Sequence, residues 1–403
     1  FIISILNKKH IAIIGGGPAA LMLACSLDKS TYNISLYEKN ATLGRKFLVA
    51  GKGGFNLTHS EEFEPFSNRY HPKECITPFL KQFTNTDFRN WLASIGIDTY
   101  VGTSKRVFPK KGIKPIEVLQ AIEKQVLQNQ VNIKYNHTWK GWHQNQLVFE
   151  HKQTPVNITA DITVFALGGG SWKVTGSDGN CLHYFTEKHI ETLPFVPSNC
   201  AYQIKWDKNV IKLIEGQALK NCEFTCGNIS KKGEAVLTQF GIEGSGIYAL
   251  SKPIREQLLS NKTAAITIDF KPELNENQIQ QRLEDHTHLS MKDSLEKKLN
   301  LTPTQIQLLK CSTTKEQYHS PAVLSKLIKT YPLTITDFAP IDEAISTVGG
   351  IAFTAVNQHL ELKKLPHHYC IGEMLDWDAP TGGYLLQACF SMGYSLALYL
   401  NKI

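Results

Sequence analysis

Several features are missing from this 403-residue sequence, and each absence narrows what it can do. No Cys-x-x-Cys pair occurs among the nine cysteines; Cys222 and Cys226 are four apart and have no second pair nearby. An odd, scattered set argues against a disulfide framework, a zinc site or a dithiol relay. Reduced thiols in a cytoplasmic setting are expected, and no bound metal. Charge of one sign is not concentrated either, since 43 Lys and Arg face 36 Asp and Glu for a net charge of +7. The densest basic stretch is Lys105, Arg106, Lys110, Lys111 and Lys114. Without a nucleic-acid module or an aromatic–basic motif, nucleic acid is not the expected partner. Long apolar runs are lacking as well. Ile11–Leu27 is broken by Gly15-Gly16-Gly17-Pro18, and Tyr384–Leu400 falls short of the roughly 20 residues a membrane span needs, so it reads as a buried helix. The apolar start Phe1–Leu6 is too short for a secretory signal, and the basic pair Lys8-Lys9 follows it instead of preceding it. The chain begins with Phe1, which leaves open whether residues precede it. Glycine and proline are neither enriched nor depleted, which excludes collagen-like and disordered chains. The length suggests two or three domains; no internal repeat is visible.

What the sequence does contain is a dinucleotide fingerprint near its start. His10–Ile14 is a short β-branched run, followed at once by Gly15-Gly16-Gly17-Pro18-Ala19-Ala20 and the apolar, helix-prone Leu21–Leu27. Gly15, Gly17 and Ala20 fill the pattern G-x-G-x-x-[GA]. Gly15 would make the tight turn, Gly17 would let a pyrophosphate approach the backbone, and Ala20 would let the helix pack close to the strand. Pro18 and Ala19 open the helix, whose free N–H groups and positive dipole end suit phosphates. Asn33–Tyr37 reads as the second strand. It ends at Glu38, 23 residues after Gly15, where a ribose-binding acid is expected, with Lys39 beside it.

This unit alone does not separate NAD from FAD; three later segments favour an extended ligand. Gly44, Arg45 and Lys46 precede a second glycine-rich loop containing Gly51, Gly53, Gly54, Asn56 and Leu57, whose consecutive N–H groups can form an anion nest. The run Ile162–Leu167 reads as a buried strand. It carries Ala166 and passes into Gly168 and Gly169, where backbone can pass close to a cofactor. Near the C-terminus a strand ends at Gly372-Glu373, and a loop with Asp376 leads to Gly382, Gly383, Tyr384 and Leu385 at the start of the uncharged helix. Glu373 can hold ribityl hydroxyls, and a glycine-initiated helix start can face the flavin N1–C2=O edge.

These segments in order, GGGPAA, GRKFLVAGKGGFNLTH, RVFP, ALGGGSW with TGSDG, GEAVLTQFGIEGSGIYALS and GEMLDWDAPTGGYLLQACFSMG, resemble the YhiN/BaiN-type flavoproteins. These are the NAD(P)/FAD-dependent oxidoreductases also called the aminoacetone oxidase family. The resemblance runs from about residue 10 to residue 400. The second loop departs from the family's usual SG.GRCN.TN at Ala50, Gly54, Phe55 and His59, which marks a separate subfamily.

The resemblance implies an α/β fold: a glutathione-reductase-type, Rossmann-like FAD domain split in sequence (1–195 and 345–403). It also implies an inserted β-barrel-like domain (196–274 and 331–344) and a small helical subdomain (275–330). Strand-like runs at Ala201–Trp206, Cys222–Cys226, Ala235–Phe240 and Ala264–Phe270 agree with that order. So do helical runs at Asn277–Lys298, Pro303–Lys310 and Pro321–Lys329.

The implied cofactor is FAD, with NAD(P)H admitted only as a transient reductant because no second fingerprint exists. Flavin would exchange electrons directly with a small organic substrate, at the interface with the inserted domain. No catalytic acid or base stands out: His59, Asp376 and Tyr384 read as structural hydrogen-bonders, and the catalytic residues stay unassigned. Two rival readings remain at this level, a flavoprotein acting on RNA and a non-catalytic FAD-binding protein. The sequence sets no oligomeric state.

Overall fold

The computed structural model describes residues 8–49, 55–285 and 289–403. The chain divides into two units, residues 1–196 with 345–403, and residues 197–344.

At the centre of the first unit is a five-stranded parallel sheet. Its order is His368–Cys370, Ile162–Phe165, Lys9–Ile14 (β1), Tyr32–Tyr37 (β2) and Asn132–Lys134. β1 lies in the middle and pairs with strands on both sides, Ile14 opposite Tyr37 and Phe165. Ile11, Ala12, Ile13 and Ile14 are all buried. That continuous apolar run, without alternation, is what a parallel strand covered on both faces requires.

Between β1 and β2 runs helix Pro18–Ser26 (α1), with proline in its first turn. Ala19 through Ala24 are all buried, so α1 has no polar face. The reason is the C-terminal helix Tyr384–Leu400. A Cβ on its Gly393 would lie 2.3 Å from the Ala19 carbonyl oxygen, so the two backbones nearly touch. Burying Leu21, Met22 and Leu23 there contributes about 1.5–3 kcal/mol each.

A three-stranded antiparallel meander, His137–His143, Gln146–His151 and Thr154–Ile158, belongs to the same unit. A small antiparallel sheet joins Thr58–His59, Arg106–Pro109 and Thr99–Val101. Neither stands out in the sequence as a strand cluster. The meander turns use Gln144, Lys152 and Gln153 at positive φ (53°, 48° and 64°), residues that carry no turn signal.

The second unit holds an antiparallel seven-stranded sheet, in the order Tyr331–Ile335, Ala264–Asp269, Ala218–Cys226, Ile229–Leu237, Gly241–Glu243, Tyr202–Gln203 and Asp337–Phe338. Its two outer strands are separated by Thr336 alone, so one segment pairs with both ends of the sheet. The run Ala201–Trp206 keeps only two residues in strand. Trp206 N–H turns back to the Ile204 carbonyl, and Asp207 caps the helix Lys208–Ile214.

Between Asp269 and Tyr331 the described residues form helices joined by short loops. Asn275, Ser290, Thr302, Thr314 and Ser320 each cap a helix, with the side-chain oxygen accepting a backbone N–H three residues on. The Ser290 cap explains why the run Asn277–Lys298 forms two helices, Glu276–Glu284 and Met291–Lys297. Among the described residues no helix is long and apolar enough to cross a membrane, and no cluster of His, Cys, Asp and Glu could hold a metal ion.

Candidate functional site

The first unit contains a groove along the C-terminal ends of its parallel strands, where open α/β sheets bind ligands. Its floor is the turn from β1 into α1. Gly15 has φ +102°, and a Cβ there would lie 2.4 Å from the Ala166 oxygen. Only glycine fits that crossing of two strand ends. Gly16 lets Glu38 approach, because a Cβ on it would meet Leu43 at 2.4 Å and Glu38 Oε2 at 2.9 Å. Gly17 differs from both. Its φ of −84° suits any residue, and a Cβ would meet nothing within 4 Å. It therefore borders open space. It also caps α1 without any side-chain hydrogen bond, so first-turn N–H groups of α1 remain available to an anion.

Glu38 is held at the end of β2 by three donors. Oε2 accepts the Gly16 N–H (2.8 Å), and Oε1 accepts the Asn40 N–H (2.8 Å) and Asn40 Nδ2 (2.7 Å). A carboxylate has about four acceptor positions, so one is left over on a residue that lines the groove. Lys39 pairs with Asp178 at 3.1 Å, and Arg45 donates to Asn40 Oδ1 at 2.8 Å. Further along, Lys46 Nζ bonds Ser171 Oγ (2.8 Å) and Glu373 Oε2 (3.0 Å), while Glu373 Oε1 accepts the Thr347 N–H (3.2 Å). Cys389 also lines this end, with its thiol pushed up to about 12 by burial; Cys181 at the other end is pushed up to about 12, again by burial. Both are therefore thiols at neutral pH, without nucleophilic thiolate.

Of the residues named from sequence, Gly15, Gly17, Pro18, Ala19, Glu38, Lys39, Gly44, Arg45, Lys46, Ala166, Gly168, Gly372 and Glu373 line this one groove. Ala20 lies behind it, fully buried. Gly169 backs Glu373, since a Cβ there would strike Thr347 Oγ1 at 2.2 Å and Glu373 at 2.9 Å. Asp376 turns elsewhere, accepting the Gly349 N–H at 2.9 Å. Gly51, Gly53 and Gly54 lie outside the described residues. Sequence reasoning missed the groove's far wall: Thr138, Trp139 and Lys140 from the meander, Thr175–Cys181, and His183 with Tyr184. The TGSDG run was the one available signal there.

Gly382, Gly383, Tyr384 and Leu385 sit in a second cluster with Leu57 and His59. Gly383 packs on Thr58, where a Cβ would lie 2.6 Å from its Cα. The Tyr384 hydroxyl donates to Glu61 (2.7 Å), Arg69 forks onto the same carboxylate, and the His59 ring stacks on Tyr384 at 5.0 Å. Burial raises the Tyr384 hydroxyl far above its ordinary range, and the bond to Glu61 raises it further. Burial lowers His59, keeping it neutral. Burial alone would raise Glu61, but hydrogen bonds from Arg69 and Tyr384 outweigh that and lower it.

The donor set fits a dinucleotide: an open space at Gly17, free helix N–H groups, and an oriented carboxylate where a ribose diol would lie.

Comparisons with known proteins find relatives over nearly the whole chain. A family model described as "HI0933-like protein Rossmann domain" matches residues 9–399. A 3-dehydro-bile acid delta(4,6)-reductase from Clostridium scindens is 25% identical, covering 96% of this chain and 97% of that protein. A ribosomal RNA dihydrouridine synthase from Haemophilus influenzae is 22% identical, covering 97% and 98%. Among solved structures, the open conformation of a flavocytochrome c3 fumarate reductase is similar in fold, with a TM-score of 0.51 at 14% identity over 98% of this chain and 78% of that one. With its fingerprint, groove and full-length family match, the chain belongs to the HI0933-like Rossmann-domain family, the YhiN/BaiN-type FAD-dependent oxidoreductases.

Proposed function

We propose that this protein binds FAD in the groove and reduces a carbon–carbon double bond conjugated to a carbonyl in a small organic molecule. The observation that carries the cofactor reading is the open space at Gly17 beside free α1 N–H groups, one residue from the Glu38 cradle. Gly15, Gly17, Pro18, Ala19 and Ala20 would shape the pyrophosphate end, and Glu38, with Lys39 near it, the adenosine ribose. Gly44, Arg45, Lys46, Gly168, Gly169, Gly372 and Glu373 would hold the middle. Asn56, Leu57, Asp376 and Gly382–Leu385 would frame the flavin end. Bound flavin supplies two-electron hydride transfer. The substrate class rests on the relatives. A delta(4,6)-reductase of a 3-dehydro steroid and a synthase of dihydrouridine both saturate a double bond conjugated to a carbonyl.

NADH or NADPH is the reductant to test first. An anaerobic screen would add each to the holoprotein, follow flavin bleaching, and then add conjugated enones. Recolouring by an enone supports the reading, and no recolouring by any of them defeats it. A second reading is favoured by one observation, the synthase relative, whose match covers 97% of this chain. Here the substrate carbonyl would belong to a uracil in RNA, and the exposed Lys105, Lys110, Lys111 and Lys114 would supply phosphate contacts. A salt-dependent RNA gel shift tests it.

We read the curled seven-stranded sheet as the barrel-like insert (196–274 and 331–344). Residues 275–330 then form the helical subdomain, and 1–195 with 345–403 the FAD domain. The nine free cysteines fit a cytoplasmic location.

A further inference from the structure

Arg106 is a polar group in the second cluster that no other described residue employs. Strand Thr58–His59 pairs antiparallel with Arg106–Pro109, so Arg106 stands opposite His59. A Cβ on Gly382 would lie 3.4 Å from Arg106 Nε and 3.3 Å from the Tyr384 ring, so the guanidinium reaches the turn that opens the C-terminal helix. Most of the polar groups around it are committed. Glu61 is taken by Arg69 and by the Tyr384 hydroxyl. His59 Nδ1 accepts the Glu61 N–H at 3.2 Å, so the other ring nitrogen carries the proton of the neutral ring. Thr58 Oγ1 donates to Gln387 at 2.7 Å, and the Tyr70 hydroxyl donates to the Tyr384 carbonyl at 2.8 Å. Arg106 is half-buried, yet among the described residues no carboxylate lies within ion-pair distance and no hydrogen bond engages its side chain. A half-buried cation without a counter-charge is expected to meet a ligand oxygen that carries or gains negative charge.

We propose that Arg106 is a catalytic residue that binds the carbonyl oxygen of the conjugated substrate and stabilises it as an enolate. The inference rests on the reading of the protein as a flavin-dependent double-bond reductase. In that reaction a hydride adds to the β-carbon. The π pair moves through the α-carbon onto the carbonyl oxygen, and a proton from water then forms the α-C–H bond as the carbonyl returns. The hydride and its two electrons come from flavin that a reduced nicotinamide dinucleotide has reduced. Negative charge therefore peaks at the oxygen. A guanidinium that meets this oxygen stabilises the transition state more than the ground state. Tyr384 does not compete for this role, because its hydroxyl is already spent on Glu61, and His59 is kept neutral by burial, so it brings no charge to the oxygen.

The test compares wild type with R106Q and R106K holoproteins, first checking that flavin content and melting temperature match wild type. 4-Chlorophenol, a stable mimic of the enolate, is titrated into the oxidised protein and followed by the flavin charge-transfer band. Wild type binds it as phenolate. R106Q loses about tenfold or more of that affinity, and its turnover of a conjugated enone falls roughly 100- to 1,000-fold. R106K, which keeps the charge but loses the planar fork, lies between the two. If R106Q fails to load flavin, R106K alone decides, by an affinity and rate below wild type. R106Q that keeps phenolate affinity and turns over within threefold of wild type overturns the inference and leaves the reductase reading standing. Unchanged phenolate affinity with a shifted flavin potential also overturns it, because Arg106 would then act on the flavin. A wild-type holoprotein that turns over no conjugated carbonyl overturns the reductase reading and this inference with it.

Discussion

The groove beside β1 is shaped mainly by main chain, whereas the cluster around His59, Glu61, Arg106 and Tyr384 is shaped by side chains. In the groove, Gly15 and Gly16 remove atoms so that strand ends and a carboxylate can meet, and Gly17 leaves space for a ligand. In the cluster, the Glu61 carboxylate gathers an arginine and a tyrosine, its backbone N–H donates to the His59 ring, and among the described residues the Arg106 guanidinium is left unspent. Backbone cradles suit a ligand part that is the same in every turnover. Side-chain clusters suit a part that changes charge during reaction.

The sharpest way to break this comparison is inside the fingerprint itself. Gly15→Ala forces a side chain at φ +102° into the Ala166 carbonyl. It is expected to destabilise the whole fold by more than the roughly 1–2 kcal/mol that left-handed backbone alone costs, read as a large drop in Tm. Gly17→Val is expected to leave apoprotein stability near wild type, because nothing lies within 4 Å of its Cβ, and to abolish FAD loading. Unloaded but folded Gly17→Val, beside misfolded Gly15→Ala, separates ligand space from packing space. Normal loading in Gly17→Val would remove that space from the cofactor path.

Next in size is Glu38→Gln. Losing a charge-assisted bond to the ribose weakens FAD by roughly 10- to 100-fold, from about 1.5–3 kcal/mol, measured by calorimetric titration of apoprotein. Smaller again is Glu61→Gln. Arg69 is 38% exposed, so solvent screens its pair with Glu61, and the expected loss is about 1 kcal/mol in Tm-derived stability with FAD affinity retained.

The mildest probe is pH. His59 and Glu61 both have folded values below their ordinary 6.5 and 4.5, the first through burial, the second because hydrogen bonds outweigh burial. A depressed folded value means the stabilisation is full above the ordinary value and is lost as pH falls through the folded one. Stability should therefore decline in two stages, below about 6.5 and then below about 4.5. His59→Gln should shrink the upper stage, which half-buried His368 shares, and Glu61→Gln the lower, which Glu64, Glu273 and Glu316 share. Equal pH curves in all three proteins would contradict the cluster's charge assignments.

The same contrast governs what could be read in advance. The strand–turn–helix at His10–Leu27 is legible because glycine, a β-branched run and Glu38 each announce local geometry. Tyr384–Leu400 is legible because a glycine pair opens an uncharged apolar run, and the helix has those bounds. The far wall at Thr138–Lys140 is not, because its hairpins turn on Gln and Lys at positive φ instead of glycine. Nor is the pairing of His59 with Arg106, which joins residues far apart in sequence through a strand two residues long. RVFP is visible as a motif, but its task appears only when the fold sets it beside Gly382.

The most direct test of the central claim is to titrate apoprotein with FAD and, separately, with FMN. The account predicts one FAD per chain and no comparable FMN binding, since the proposed cradle at Gly17 and Glu38 would hold the half that FMN lacks. FMN bound as tightly as FAD, or neither bound after supplementation, would contradict it.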